Sequence, residues 1–110
     1  MLNIPCSHPD IEEFIDIKND LNKVTKANIS IDITDDFMEA VVNKQPYTLS
    51  FTVESTGEVI EKVVDADRLF TKLAKNNWMM AEPGALFKTT IDKYHLMSED
   101  EDFRYAGVNP

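Results

Sequence analysis

The sequence predicts an α/β fold, and three patterns predict it. Asn28–Ile33 alternates polar and apolar residues with period two, the mark of a strand with one covered face. Tyr47–Val53 and Val59–Val64 are β-rich runs on either side of a Gly-containing turn, Glu54–Glu58, which makes a hairpin. Between and after them, apolar residues recur at helical spacing.

The elements follow in order. Ser7-His8-Pro9-Asp10 reads as a helix start: a capping Ser, a Pro suited to the first turn, and an Asp at the positive end of the helix dipole. Ile11, Phe14 and Ile15 then form one apolar stripe that stops near Lys18. Lys18–Asn28 is polar, rich in Asn and Lys, and reads as a loop. After the strand at Asn28–Ile33, Thr34 caps a short helix with Asp35 and Asp36 in its first turn. Phe37, Met38, Val41 and Val42 are its predicted buried face, and it ends near Asn43. The hairpin comes next. Asp65 or Asp67 then caps a longer helix whose expected core face is Leu69, Phe70, Leu73, Ala74 and Trp78. Pro83-Gly84 breaks it, and a further helix is expected from Ala85 to about Tyr94. The predicted order is therefore helix, strand, helix, β-hairpin, two helices and a tail. The strand at Asn28–Ile33 has no evident partner in this order.

Charge and composition exclude several function classes. The 110 residues carry 20 acidic and 11 basic side chains, a formal net charge of −9. Such a balance opposes phosphate-backbone binding to nucleic acid and adsorption to anionic lipid. No apolar run approaches the ~20 residues of a membrane span, and Met1–Pro9 has no secretory pattern. The expectation is a cytoplasmic chain. A single cysteine, Cys6, permits no internal disulfide and no Cys-rich zinc site. His8 and His95 are far apart and lack ligand spacing; the acidic run Glu99–Asp102 lacks the EF-hand pattern. No metal site is expected. The Lys18–Asn28 loop is the feature with binding chemistry: Lys18, Lys23 and Lys26 for phosphate, Asn19, Asn22 and Asn28 for base edges or ribose. An ordinary solvated connection explains the same residues.

Several stretches together resemble the large, catalytic subunit of ribonucleotide reductase, most closely its adenosylcobalamin-dependent class. They are His8-Pro9-Asp10-Ile11-Glu12-Glu13-Phe14-Ile15 with Lys18 and Asn28-Ile29-Ser30-Ile31, then Ser55-Thr56-Gly57-Glu58-Val59-Ile60 with Asp65-Ala66 and Leu69-Phe70. Trp78, Glu82-Pro83-Gly84 and Phe87 follow, and Asn109-Pro110 is the last. Each is short; their order and spacing carry the likeness over nearly all 110 residues.

The resemblance implies that residues 1–110 are part of a ten-stranded α/β barrel domain, incomplete at both ends. The parent enzyme would reduce ribonucleotides, di- or triphosphates, to deoxyribonucleotides. Its cysteine thiyl radical would take the 3′ hydrogen, with adenosylcobalamin as radical source and a thioredoxin-type reductant. A dNTP effector would bind at a homodimer face formed near Asp10–Ile17. Lys18, Asn19, Asp20, Asn22, Lys23, Thr25, Lys26 and Asn28 would then belong to the specificity loop between effector and substrate. Asn109 would hydrogen-bond the substrate, as the Asn of an Asn-x-Cys-x-Glu pattern whose Cys and Glu are not among these residues. The 110-residue chain alone is therefore expected to be inactive. The usual Gly-Asp-Pro-Gly of the family reads Ala81-Glu82-Pro83-Gly84 here. The rival reading is a stand-alone acidic α+β protein-interaction module without catalysis.

Overall fold

Five strands and four helices make up a computed structural model that describes residues 1–20, 24–97, 99–100, 102 and 108. The order is β1 (Leu2–Pro5), α1 (Ile11–Asp16), β2 (Ile29–Ile33), α2 (Asp35–Val42), β3 (Pro46–Thr52), β4 (Val59–Asp65), α3 (Ala66–Met80), β5 (Gly84–Phe87) and α4 (Lys88–Lys93). A 3-10 turn at Ile17–Asn19 continues α1.

Strand β2 lies between β1 and β5 in a three-stranded parallel sheet. Its register sets Ile31 opposite Ile4 on one side and Ala85 on the other. This corrects the expectation that the strand lacked a partner. Parallel neighbours need a crossover connection, so they lie far away in sequence and leave no local signal. Strand β1 is short and ends on Pro5, while β5 takes in the first three residues of the span expected to be helical, Ala85–Phe87, leaving α4 to begin only at Lys88. The sheet does not close into a barrel among the described residues.

The hairpin forms as expected. Strands β3 and β4 pair antiparallel from Pro46↔Asp65 to Thr52↔Val59, and Gly57 supplies a positive φ of 72° in the turn. Asp65 caps α3, its carboxylate accepting from Arg68 N–H at 3.0 Å. Asp10 and Thr34 occupy the N-cap positions of α1 and α2 without side-chain cap bonds.

One core joins these parts. Ile11 and Ile15 from α1, Ile31 and Ile33 from β2, and Phe37, Ala40 and Val41 from α2 meet Leu69 and Leu73 of α3. The hairpin adds Leu49 and Val64, and Cys6 is buried among them. Three predicted core residues fall outside: Val42, Ala74 and Trp78 are exposed. Trp78 lies nine residues after Leu69, half a turn around a helix of 3.6 residues per turn. The stripe that α3 buries is Leu69, Leu73 and Asn76. No helix is long and apolar enough to cross a membrane among the described residues.

Candidate functional site

The site is the connection from α1 to β2. It begins where α1 tightens into the 3-10 turn and ends where the chain enters the parallel sheet. Both ends are held by hydrogen bonds. On the α1 side, buried Asn76 of α3 donates to the Ile15 carbonyl at 3.4 Å and to Asp16 Oδ1 at 3.1 Å. Asp16 also accepts from Asn19 at 3.3 Å and pairs with Lys72 at 2.6 Å. On the β2 side, the Asn28 carbonyl accepts from Leu2 N–H at 2.8 Å, which starts the β1–β2 ladder.

Lys18 spans the neck between the two ends. Its ammonium donates to the Ala27 carbonyl at 2.7 Å and pairs with Glu82 Oε2 at 2.7 Å. The side chains of Lys18 and Glu82 are only 14% and 22% exposed, so this pair is largely withdrawn from water. Glu82 itself stands on a fixed turn. Ala81 adopts the left-handed conformation at the end of α3 and donates to the Asn77 carbonyl, while the Asn77 side chain donates to the Pro83 carbonyl at 3.0 Å.

The remaining predicted loop residues divide. Asn19, Asp20, Thr25, Lys26 and Asn28 are exposed, and Val24 takes a positive φ of 46°. Asn22, Lys23 and Asn109 lie outside the described residues. Lys18, one of the lysines expected to serve phosphate, meets the Ala27 carbonyl and Glu82 within the chain. Sequence reading overlooked Glu82 and Asn76 as partners of the loop. The one available signal was Glu82 itself, an acid held between a helix end and Pro-Gly.

Beside α1 runs an open groove of about 600 Å³ lined by Ile4, Asp10, Glu13, Phe14, Asp16, Ile17 and Asp20. Its lining carries four carboxylates, of which Asp16 is paired with Lys72, and this acidic balance makes it unsuited to a phosphate. It is equally unsuited to the phosphodiester tail of a cobalamin. On the other flank of α1, Glu12 faces Arg68 at 2.7 Å, Lys72 at 3.5 Å and Lys62 at 3.9 Å. Burial pushes the Glu12 carboxyl up, but the Arg68 hydrogen bond and the three cationic charges outweigh it and hold the pKa below the usual value. Cys6 is buried, its Sγ 3.5 Å from Thr34 Oγ1, so no nucleotide reaches it. Among the described residues, no group of three or more metal-ligating side chains comes together.

Comparison with known proteins matches this chain to one family. Residues 1–106 match the model of the ribonucleotide reductase barrel domain. The vitamin B12-dependent ribonucleotide reductase of Streptomyces avermitilis is 35% identical over an alignment covering all of this chain and 13% of the relative. That of Streptomyces coelicolor is likewise 35% identical, with the same coverage. The vitamin B12-dependent ribonucleoside-diphosphate reductase of Thermoplasma acidophilum is 34% identical over 94% of this chain and 13% of its own length. The chain thus spans about an eighth of the length of these relatives.

Proposed function

The chain belongs to the ribonucleotide reductase barrel-domain family, and from that premise we propose that it forms part of the catalytic barrel of a B12-dependent enzyme. The parent reduces ribonucleotides to deoxyribonucleotides in the cytoplasm. The sheet β1-β2-β5 contributes three parallel strands to a ten-stranded barrel. Adenosylcobalamin, bound elsewhere in the parent, supplies the radical; a thioredoxin-type protein supplies electrons.

The role of this segment is allosteric. The connection from Lys18 to Asn28 lies between a dNTP effector, bound where the α1 faces of two subunits meet, and the ribonucleotide substrate. The observation that carries this reading is a loop fixed at both ends with exposed Asn, Thr and Lys side chains between them. One element that two ligands both touch is the physical requirement for coupling their affinities. The carboxylates of the groove beside α1 repel phosphate, which leaves Lys26 and Lys23 as the cations for a triphosphate. Asn109 hydrogen-bonds the substrate in the parent.

The test is substitution in the full-length enzyme. Lys26→Ala is expected to change which substrate a given effector favours, by more than it changes turnover with a matched pair. Unchanged preference overturns the loop assignment. The 110-residue chain, whose sole cysteine is core-packed, is expected to reduce no nucleotide with any radical source.

A further inference from the structure

We propose that Lys18 and Glu82 form a clamp that sets the neck of the Lys18–Asn28 loop, making Glu82 a positioning residue for effector–substrate coupling although it lies more than fifty residues away in sequence. The inference rests on the loop reading above for its functional consequence, and on geometry alone for the clamp.

Three elements meet at one ammonium. Lys18 sits on the 3-10 turn after α1, Ala27 leads into β2, and Glu82 belongs to the turn between α3 and β5. An ammonium has three donors, and two are used at 2.7 Å on partners from different elements. Little solvent reaches either charge, so the pair is screened far less than a surface pair. Removing one partner leaves the other charged and poorly hydrated, which is the costly case.

The clamp has a rigid side and an adjustable one. Glu82 is rigid because Ala81 and Pro83 on either side are both bonded to Asn77. The contact with Ala27 is a single bond to a backbone carbonyl, outside the strand ladder. A ligand that reshapes residues 24–28 therefore acts on the Lys18–Ala27 bond first, while Glu82 keeps the ammonium neutralised. Two residues beyond Glu82, Gly84 pairs with Ser30 of β2 in the sheet. A carbon placed on Gly84 would lie 3.0 Å from Ser30 Oγ, so the turn carrying Glu82 is seated closely against β2. The clamp thus ties the loop to the strand that it feeds through a second, independent route.

Amide hydrogen exchange in the 110-residue chain tests the clamp. Lys18→Met and Glu82→Gln are each expected to raise exchange at Leu2, whose N–H is held by the Asn28 carbonyl next to the clamp, by about tenfold through local opening, with the Ile31 amide unchanged. The exchanged pair, Lys18→Glu with Glu82→Lys, is expected to recover part of the protection. Unchanged exchange at Leu2 in either folded single variant overturns the clamp. Should both single variants unfold, Glu82→Asp decides by the same readout, since it keeps the charge and shortens the reach. The full-length enzyme separates the two ideas. If the clamp holds and the loop reading fails, Glu82→Gln raises exchange and leaves effector preference untouched. If the loop reading holds and the clamp fails, Lys26→Ala shifts preference and Glu82→Gln changes neither quantity.

Discussion

Strand β2 buries four of its five residues, whereas β4 buries one of its seven. The two strands are similar in composition, each rich in Ile or Val. What separates them is position. Strand β2 has a neighbour on both sides and lies under helices, so Ile29, Ile31 and Ile33 are each 1% exposed. Strand β4 has one neighbour, β3, and only Val64 turns into the core. Val59, Ile60 and Val63 stay between 44% and 66% exposed. Apolar β-formers thus serve two ends in one chain: in the sheet they supply burial, and in the hairpin chiefly backbone preference. Stability is therefore expected to be lodged unequally.

The largest effect should come from the centre of the sheet. Ile31→Ala removes side-chain volume from a site sealed on all sides and is expected to cost about 2–5 kcal/mol. Val63→Ala, at a site 66% exposed, is expected to cost no more than about 0.5 kcal/mol. Urea denaturation followed by far-UV circular dichroism measures both. Equal losses would erase the contrast and show that the outer hairpin face belongs to the cooperative unit.

The polar counterpart of Ile31 is Asn76. Its buried amide satisfies the Ile15 carbonyl and Asp16 where α1 ends. Asn76→Ala leaves that carbonyl without its donor and is expected to cost about 1–3 kcal/mol. Exchange at residues 17–20 should rise in the same variant, while the hairpin amides Leu49 and Lys62 keep their protection. A loss spread evenly over both regions would mean that they do not open separately.

Glu12 joins the two regions, since its partners come from the hairpin (Lys62) and from α3 (Arg68, Lys72). Its folded pKa lies below the usual 4.5. Stability from this carboxylate is therefore fully present above pH 4.5 and is lost as pH falls through the lower folded value. The partners are partly exposed, so the contribution should be no more than about 1 kcal/mol. Glu12→Gln is expected to lose it at neutral pH and to flatten the stability profile in that acid window. High salt should shrink the difference between the two chains. An identical profile in the variant would show that the network adds nothing.

The same contrast explains what could be read from sequence. The hairpin was legible because its two strands are neighbours along the chain and Gly57 marks the turn between them. The parallel sheet was not, because the partners of β2 begin at Leu2 and Gly84, the first separated from it by α1 and the second by α2, the hairpin and α3. The Ile29–Ile33 alternation announced a buried face without saying what would flank it. Likewise the Lys18–Asn28 loop was visible as a polar interval, and its Asn and Lys content suggested a ligand. The clamp was not visible, because nothing local relates Lys18 to Glu82. Periodicity reports what a segment needs; which distant segment meets that need depends on the assembled fold.

Trp78 tests the weakest side of the contrast. Its spacing from Phe70 and Ala74 suggested a shared core face, yet the buried stripe of α3 runs through Leu69, Leu73 and Asn76. Trp78 is 89% exposed. A side chain that loses so little water contact on folding has little burial to contribute. Trp78→Ser is therefore expected to change stability by no more than about 0.5 kcal/mol. As the sole tryptophan, it also reports its own environment by fluorescence. In the monomeric chain its emission maximum should shift little between native buffer and urea, even while circular dichroism records unfolding. A native emission strongly blue-shifted from the unfolded one would place the indole in an apolar setting. The face of α3 opposite Leu69 would then belong with the parallel sheet as a source of stability, not with the exposed surface of the hairpin.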